Sequence, residues 1–102
     1  MKDFPRLSAK TALILEMLAE RRKAYGLELV DSSAGRLKRG SIYVMLNRTE
    51  DQNLISSWLE DAPEGRKGPP RRLYKITGQG ERALNAYQLA KAAWGGSWGL
   101  AS

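Results

Sequence analysis

Basic side chains form two uninterrupted blocks in this sequence of 102 residues. Residues 36–48 carry four Lys or Arg and residues 65–80 carry five, and neither block contains an acidic residue. Residues 49–64, between the blocks, carry five acidic side chains and no basic one. Lys and Arg neutralise phosphates where a nucleic-acid backbone can approach them. The clustering therefore indicates an anionic partner more specifically than the net charge of +6 does.

Histidine and cysteine are both absent from the sequence. Without them the chain lacks the usual ligands for zinc and haem, a thiol nucleophile and the commonest general base. We therefore expect no enzyme, no cofactor and no metal site, and binding remains as the function. The alternative for the two basic blocks is a surface that is basic without serving a partner.

Two glycine patterns resemble nucleotide-binding motifs but lack the context that those motifs need. Residues 78–83 fit G-x-G-x-x-A, yet only 19 residues follow, which is too few for a parallel βαβ unit, and none of them is an acid that could hold a ribose. Residues 35–41 have the glycine spacing of a phosphate loop without the lysine that must follow the second glycine. We assign neither segment to a nucleotide.

The composition is typical of one globular domain, with 42% apolar and 27% charged residues. No apolar run is long enough to span a membrane or resembles a secretory signal, so we expect a cytoplasmic protein. A peripheral membrane role would need a basic amphipathic helix, and the last helical pattern has only Arg82 and Lys91 as basic residues. We therefore expect no membrane partner.

Helical spacing predicts three helices in the first half of the chain. The first begins after Ser8, a favoured N-cap, and ends in the charged run 20–23, in which one acidic residue precedes three basic ones. A second, shorter helix starts within residues 25–30 and ends in the Ser- and Gly-containing segment that follows. The third opens at Ser41, ends near Asn53 and turns one face inward. That face contains Ile42, Met45, Leu46 and Thr49.

Two strand patterns and a fourth helix complete the prediction. Residues 54–59 and 71–77 have strand character, and the Pro- and Gly-rich segment 60–70 joins them as a hairpin with a basic tip. Thr77 is placed to cap a last helix over about 78–94, which a glycine pair ends. This order is that of a winged helix-turn-helix, a mainly α, α+β fold with a two-stranded β wing.

The two basic blocks fall on the two parts of this fold that face DNA: the N-terminal end of the recognition helix, about 41–52, and the wing, 60–70. Asn and Arg can read adenine and guanine edges, and Val44 can contact a thymine methyl group. Glu50 and Asp51 repel phosphates, so we expect only the N-terminal half of the helix in the major groove. The predicted DNA contacts are Lys38, Arg39, Ser41, Tyr43, Val44, Asn47, Arg48, Arg66, Lys67, Arg71 and Arg72.

These contacts have structural alternatives. Ser41 can be a helix cap as well as a phosphate contact, and Tyr43 can be a half-buried packing residue. The charges of the wing can be merely solvated. Because side chains alternate along a strand, we expect one of Arg71 and Arg72 to face DNA and the other to face solvent or a carboxylate.

The last helix carries an apolar stripe that the chain has little left to cover. A chain this short has a thin core, so we expect the stripe to pack against a second copy. Residues 1–78 then form the DNA-binding domain, and residues 79–102 form a C-terminal dimerisation helix with a short tail, within one structural unit. The stripe consists of Ala83, Tyr87, Ala90 and Trp94.

Four segments in the same order resemble the PadR family of bacterial transcriptional regulators. They are residues 25–29, 40–43 with Leu46 and Arg48, 54–55, and 72–77 with Gly80, and they span about residues 8–84. The sequence departs from the family pattern at Val44, Thr49 and Asn53, where proline, leucine and glycine are usual.

The resemblance implies a homodimer, often a repressor, that reads a palindromic operator in double-stranded DNA with two recognition helices. It also implies that some relatives respond to small aromatic or hydrophobic ligands. Trp94 and Trp98 are the candidates to contact such an effector, and packing at the dimer interface is the alternative for both. The competing function is a winged-helix interaction module that binds an acidic partner without operator specificity.

Overall fold

In the computed structural model, which describes residues 7–60 and 68–101, with side chains to residue 93, four helices pack around a three-stranded antiparallel sheet. This is the winged helix-turn-helix order that the sequence predicts. The elements are α1 (Ala9–Arg21), β1 (Ala24–Tyr25), α2 (Gly26–Ser32), α3 (Ile42–Asp51), β2 (Ile55–Glu60), β3 (Arg71–Ile76) and α4 (Gly78–Ala101).

Helix α1 lies at the centre of the core and begins as predicted. The hydroxyl of Ser8 accepts a hydrogen bond from the Thr11 N–H at 3.1 Å, which satisfies a donor that the first turn leaves unpaired. The inward face is completely buried at Ile14, Leu15 and Leu18. Burying such a side chain stabilises the fold by about 2 kcal/mol.

The sequence pattern does not predict the short strand β1. Ala24 and Tyr25 pair with Tyr74 and Leu73 of β3, so the strand order in the sheet is β1-β3-β2. Two residues are too few to show the alternation by which strands are found, and the helical pattern extends over Tyr25. The wing hairpin is as expected, with β2 and β3 paired along their whole length.

The end of α3 is bonded to the start of α4. Asn53 takes the left-handed conformation predicted for it, with φ 64°. Its carbonyl accepts from the Thr77 hydroxyl at 2.7 Å, and the Gln52 carbonyl accepts from the Gln79 amide at 3.2 Å. Thr77 also caps α4 as predicted, because its Oγ1 accepts from the Gly80 N–H at 2.9 Å.

Helix α4 differs from its prediction at both ends. The glycine pair at 95–96 does not end it, since the helix continues to Ala101. A glycine within a helix costs about 1 kcal/mol relative to alanine, which weakens a helix without stopping it. At the start, the prediction that Ala83 lies on an exposed stripe is wrong: Ala83 is buried in the core with Leu84 because the first turns of α4 pack against α1.

None of the helices in the described part of the chain has the length and apolar character needed to cross a membrane.

Candidate nucleic-acid interface

Helix α3 turns its faces as the sequence predicts. Ile42, Leu46 and Thr49 are buried, and Met45 is half-buried against the core. The opposite face is open to solvent. Its residues are Tyr43, 45% exposed, Val44, 56% exposed, and the exposed Asn47 and Arg48.

Ser41 stands at the N-cap position of α3 but does not act as a side-chain cap. Its backbone has φ −125° and ψ −6°, not the extended conformation from which a hydroxyl reaches the first turn, and no capping bond forms. The N–H groups of Ser41 and Ile42 both donate to the Lys38 carbonyl, at 3.2 and 3.0 Å, so a backbone turn replaces the cap. Helix α3 thus begins at its N-cap residue Ser41 as predicted, but the hydroxyl makes no capping bond and is available to another acceptor.

The cationic side chains just before α3 and on its exposed face make no ion pair within the described residues. Lys38 and Arg39 are exposed, and Arg48 is exposed one and a half turns into the helix. The one ion pair found in the described part of the chain joins Arg21 to Glu28 at 3.7 Å, on α1 and α2. Among the described residues, Lys38, Arg39 and Arg48 therefore make no ion pair that would neutralise them.

Tyr43 both packs and remains accessible. Its ring lies over Gly26 at the start of α2, where a Cβ atom would stand 2.8 Å from the ring carbon Cε1. The same ring lines a groove of about 420 Å³ between α2, α3 and β3. The two interpretations of Tyr43, packing residue and exposed contact, therefore describe the same side chain.

Both arginines at the base of the wing are held by protein groups. The guanidinium of Arg71 stacks over the Tyr25 ring, 4.3 Å from its centroid. The Tyr25 hydroxyl donates to the carboxylate of Glu60, which lies opposite Arg71 in the sheet. Arg71 is thus anchored to the outer face of the sheet by an aromatic ring.

Arg72 points to the other face of the sheet and meets a different partner. Its Nη1 donates to the Ser57 hydroxyl at 2.9 Å, and this hydroxyl donates to Glu50 Oε2 at 2.8 Å. The sequence does not predict these hydrogen bonds among Arg72, Ser57 and Glu50. The one indication in the sequence is the carboxylate of Glu50 in the last turn of a helix, where the macrodipole disfavours a negative charge.

A buried phenol lies beside these groups. Tyr74 is 2% exposed, and burial raises the pKa of its hydroxyl above the ordinary value. Arg72 lowers this pKa, whereas Tyr43 and Glu50 raise it further. All three groups therefore lie within electrostatic reach of Tyr74, which is neutral at physiological pH.

Several predicted site residues lie outside what the structure describes. Arg66 and Lys67 of the wing are among them, as are the side chains of Trp94 and Trp98. Their roles stay predictions. No cluster of three carboxylates suited to a metal ion occurs among residues 7–60 and 68–93.

Comparison with known proteins relates this geometry to one family. Residues 14–86 match the model of the Transcriptional regulator PadR-like family. A PadR family transcription regulator from Clostridium difficile is 32% identical, with a TM-score of 0.66 over 78% of this chain and 82% of that one. No curated protein matches the chain.

Two further solved structures are similar over most of their length. A PadR family transcriptional regulator from Eggerthella lenta is 27% identical, with a TM-score of 0.72 over 86% of this chain and 76% of that one. A PadR-like transcriptional regulator from Bacillus cereus is 24% identical and shares the fold, with a TM-score of 0.67 over 86% of this chain and 85% of that one.

Proposed function

The chain belongs to the PadR-like family of transcriptional regulators, whose members are not enzymes, and we propose that it is a homodimeric repressor that binds a palindromic operator. The observation that carries the proposal is the exposed face of α3, beside whose N-terminal end Lys38 and Arg39 are exposed and make no ion pair with the described residues. A repressor of this kind acts where the DNA is, in the cytoplasm.

In this proposal the exposed face of α3, from its N-terminal end as far as Arg48, lies in the major groove. Asn47 and Arg48 read base edges, and Val44 contacts a thymine methyl group. Lys38, Arg39 and the free hydroxyl of Ser41 bind phosphates, which fixes the register of the helix on the duplex. Tyr43 borders this surface from its position over Gly26.

The wing contributes charge and reach. Arg66 and Lys67 contact the backbone or a neighbouring minor groove. Arg71 and Arg72 add positive potential at the base of the wing while their guanidinium groups remain on Tyr25 and Ser57. Charge that is placed near phosphates speeds association even without direct contact.

Dimerisation is proposed through the outer face of α4. Leu89 is 64% exposed, and Ala90 and Ala93 are exposed beside it. Because Ala83 is buried within the subunit and Tyr87 is half-buried against the same core, the interface is proposed further along the helix, toward Trp94. Residues 1–78 then serve DNA binding and 79–102 serve dimerisation, although the first turns of α4 belong to the common core.

A small aromatic effector remains part of the proposal, with Trp94 and Trp98 as its contacts. Tryptophan fluorescence that does not respond to a panel of planar aromatic compounds would count against this role.

The salt dependence of DNA binding tests the proposed function. Each phosphate contact that a cation makes contributes about 0.9 to the slope of log K against log salt. We expect the double variant Lys38→Ala, Arg39→Ala to bind a selected duplex more weakly and to lower this slope by about 1.8. The duplex is first recovered from a random-sequence selection with the unaltered chain.

Arg82→Ala is the matched control, because Arg82 is exposed on the first turns of α4, at the end of β3 opposite the wing. It removes one positive charge and leaves the slope unchanged. A selection that yields no preferred duplex would contradict operator binding and favour the interaction module. An unchanged slope in the double variant would contradict the proposed phosphate contacts.

A further inference from the structure

We propose that Glu50, Ser57 and Arg72 form a polar relay that fixes the orientation of α3 relative to the strands that carry the wing. Glu50 is in this view a positioning residue for DNA reading, and not a charge that merely limits how far α3 enters the groove. The inference deepens the proposed function and rests on it.

The relay crosses three elements in two hydrogen bonds. Arg72 on β3 donates to the Ser57 hydroxyl on β2 at 2.9 Å, and Ser57 donates to the carboxylate of Glu50 on α3 at 2.8 Å. Thr49, the neighbouring hydroxyl on α3, instead bonds back to the Met45 carbonyl of its own helix at 2.7 Å. Glu50 thus links the last turn of α3 to the sheet, whereas Thr49 does not.

The charge of Glu50 is unfavourable both for helix α3 and for binding DNA. A carboxylate in the last turn of a helix opposes the macrodipole, and a negative charge on a DNA-facing element repels phosphates. Both effects would be relieved by a neutral side chain. Hydrogen bonds to an ionised group are stronger than those between neutral groups. The bond that the carboxylate accepts from Ser57 therefore compensates for these two costs.

Asp51 provides a comparison on the same turn. It has the same charge and the same position against the macrodipole, but it is exposed and makes no side-chain hydrogen bond or ion pair with the described residues. Replacing Asp51 therefore removes the electrostatic cost without touching the relay. The two acids separate the role of charge from the role of position.

The relay lies beside the exposed face of α3 that is proposed to contact DNA. Arg72 lines the same groove as Tyr43, which is exposed on the outward face of α3. Burial raises the pKa of the neighbouring Tyr74 hydroxyl, and Glu50, Arg72 and Tyr43 act on this pKa as well. A tilt of α3 that broke the relay would also shift Tyr43 and its neighbours on the outward face.

The test compares binding of the full chain to the duplex recovered from a random-sequence selection with binding to the same duplex with its base order shuffled. If Glu50 were a simple surface acid, Glu50→Ala would bind both duplexes more tightly, because it removes repulsion and improves the helix. The relay predicts instead that Glu50→Ala loses discrimination between the two duplexes. The ratio of the affinity for the selected duplex to that for the shuffled one falls about tenfold, which is equivalent to the loss of one good base contact.

Conservative variants and controls accompany this comparison. Glu50→Gln keeps an acceptor for Ser57 and is expected to retain most of the discrimination. Ser57→Ala is expected to lose it as Glu50→Ala does, and Ser57→Thr to restore it. Asp51→Ala is the matched control and is expected to discriminate as the unaltered chain does. Affinities are referred to the folded, active fraction of each variant, so that a loss of stability alone leaves the ratio unchanged.

The slope of log K against log salt is measured in parallel. Because no phosphate contact is removed in Glu50→Ala or Ser57→Ala, the slope for the shuffled duplex stays that of the unaltered chain. Unchanged or improved discrimination in Glu50→Ala would overturn the relay while leaving the proposed function intact. Failure of the unaltered chain itself to prefer its selected duplex would overturn the proposed function, and the relay with it.

Discussion

At the scale of single residues, two glycines lie where a larger side chain would collide with a neighbour. Gly80 faces the backbone of Leu54, where a Cβ atom would stand 2.0 Å from the carbonyl oxygen. Gly26 faces the ring of Tyr43 at 2.8 Å. The glycine pattern at 78–83, which resembles a nucleotide motif, is thus explained in part by the close approach of α4 to Leu54. The sequence context argues against a nucleotide at this segment, and the close approach gives the structural reason for the glycine at position 80.

Gly80→Ala is expected to lower the free energy of unfolding by about 3 kcal/mol, because the new methyl group meets a backbone atom that cannot rotate away. Urea unfolding measures the change. The matched control is Gly78→Ala, whose Cβ meets only Arg82 Nη1 at 3.6 Å, an ordinary contact. Equal stability of the two variants would contradict the close approach.

Gly26→Ala is expected to change DNA binding more than stability. The clash is with the side chain of Tyr43, which can turn away, and alanine in a helix gains about 1 kcal/mol over glycine. The displaced ring then weakens binding to the selected duplex several-fold. The double variant Gly26→Ala, Tyr43→Ala should bind like Tyr43→Ala alone, and additive losses would show that Gly26 does not act through Tyr43.

At the scale of elements, the sequence predicts what local chemistry determines. The caps at Ser8 and Thr77, the inward face of α3 and the left-handed Asn53 follow from residue type and spacing, and the structure confirms each. Strand β1, the backbone turn that replaces a side-chain cap at Ser41, and the relay through Ser57 do not follow from spacing. They depend on contacts between segments that are distant in the sequence.

At the DNA-facing surface, too, some features follow from residue type and spacing, and others depend on contacts between distant segments. Its composition predicts cations and an outward Tyr43, and both are present. The partners of Arg71 and Arg72 could not be predicted, because alternation on a strand assigns two faces without saying what occupies each. Here one face offers the Tyr25 ring and the other offers Ser57, so both guanidinium groups have protein partners.

At the scale of the whole molecule, the chain is more extended than a compact domain of its length. Its radius of gyration is 15.7 Å, against about 13 Å expected for a compact chain of this size. Helix α4 has 24 residues, and the exposed Leu89 lies at its middle. A long helix with an uncovered apolar face supports the proposed packing against a second copy.

Leu89→Lys is expected to abolish the proposed dimer without unfolding the subunit, since Leu89 is 64% exposed in the single chain. Light scattering should then give 11.4 kDa in place of twice that mass. Leu59→Lys is the control, because Leu59 is 56% exposed but lies on β2. A dimer that survives Leu89→Lys, or a monomeric unaltered chain, would contradict the α4 interface.

The hydrogen bonds from Thr77 and Gln79 connect the start of α4 to the end of α3. A helix of 24 residues is about 36 Å long. If α4 pivoted as a rigid rod by about 5° about its far end, its start and the bonded end of α3 would move by about 3 Å, close to the 3.4 Å rise of one base pair. In the proposed dimer, a small change in the crossing angle of the two α4 helices would therefore shift each α3 by nearly one base step along the DNA.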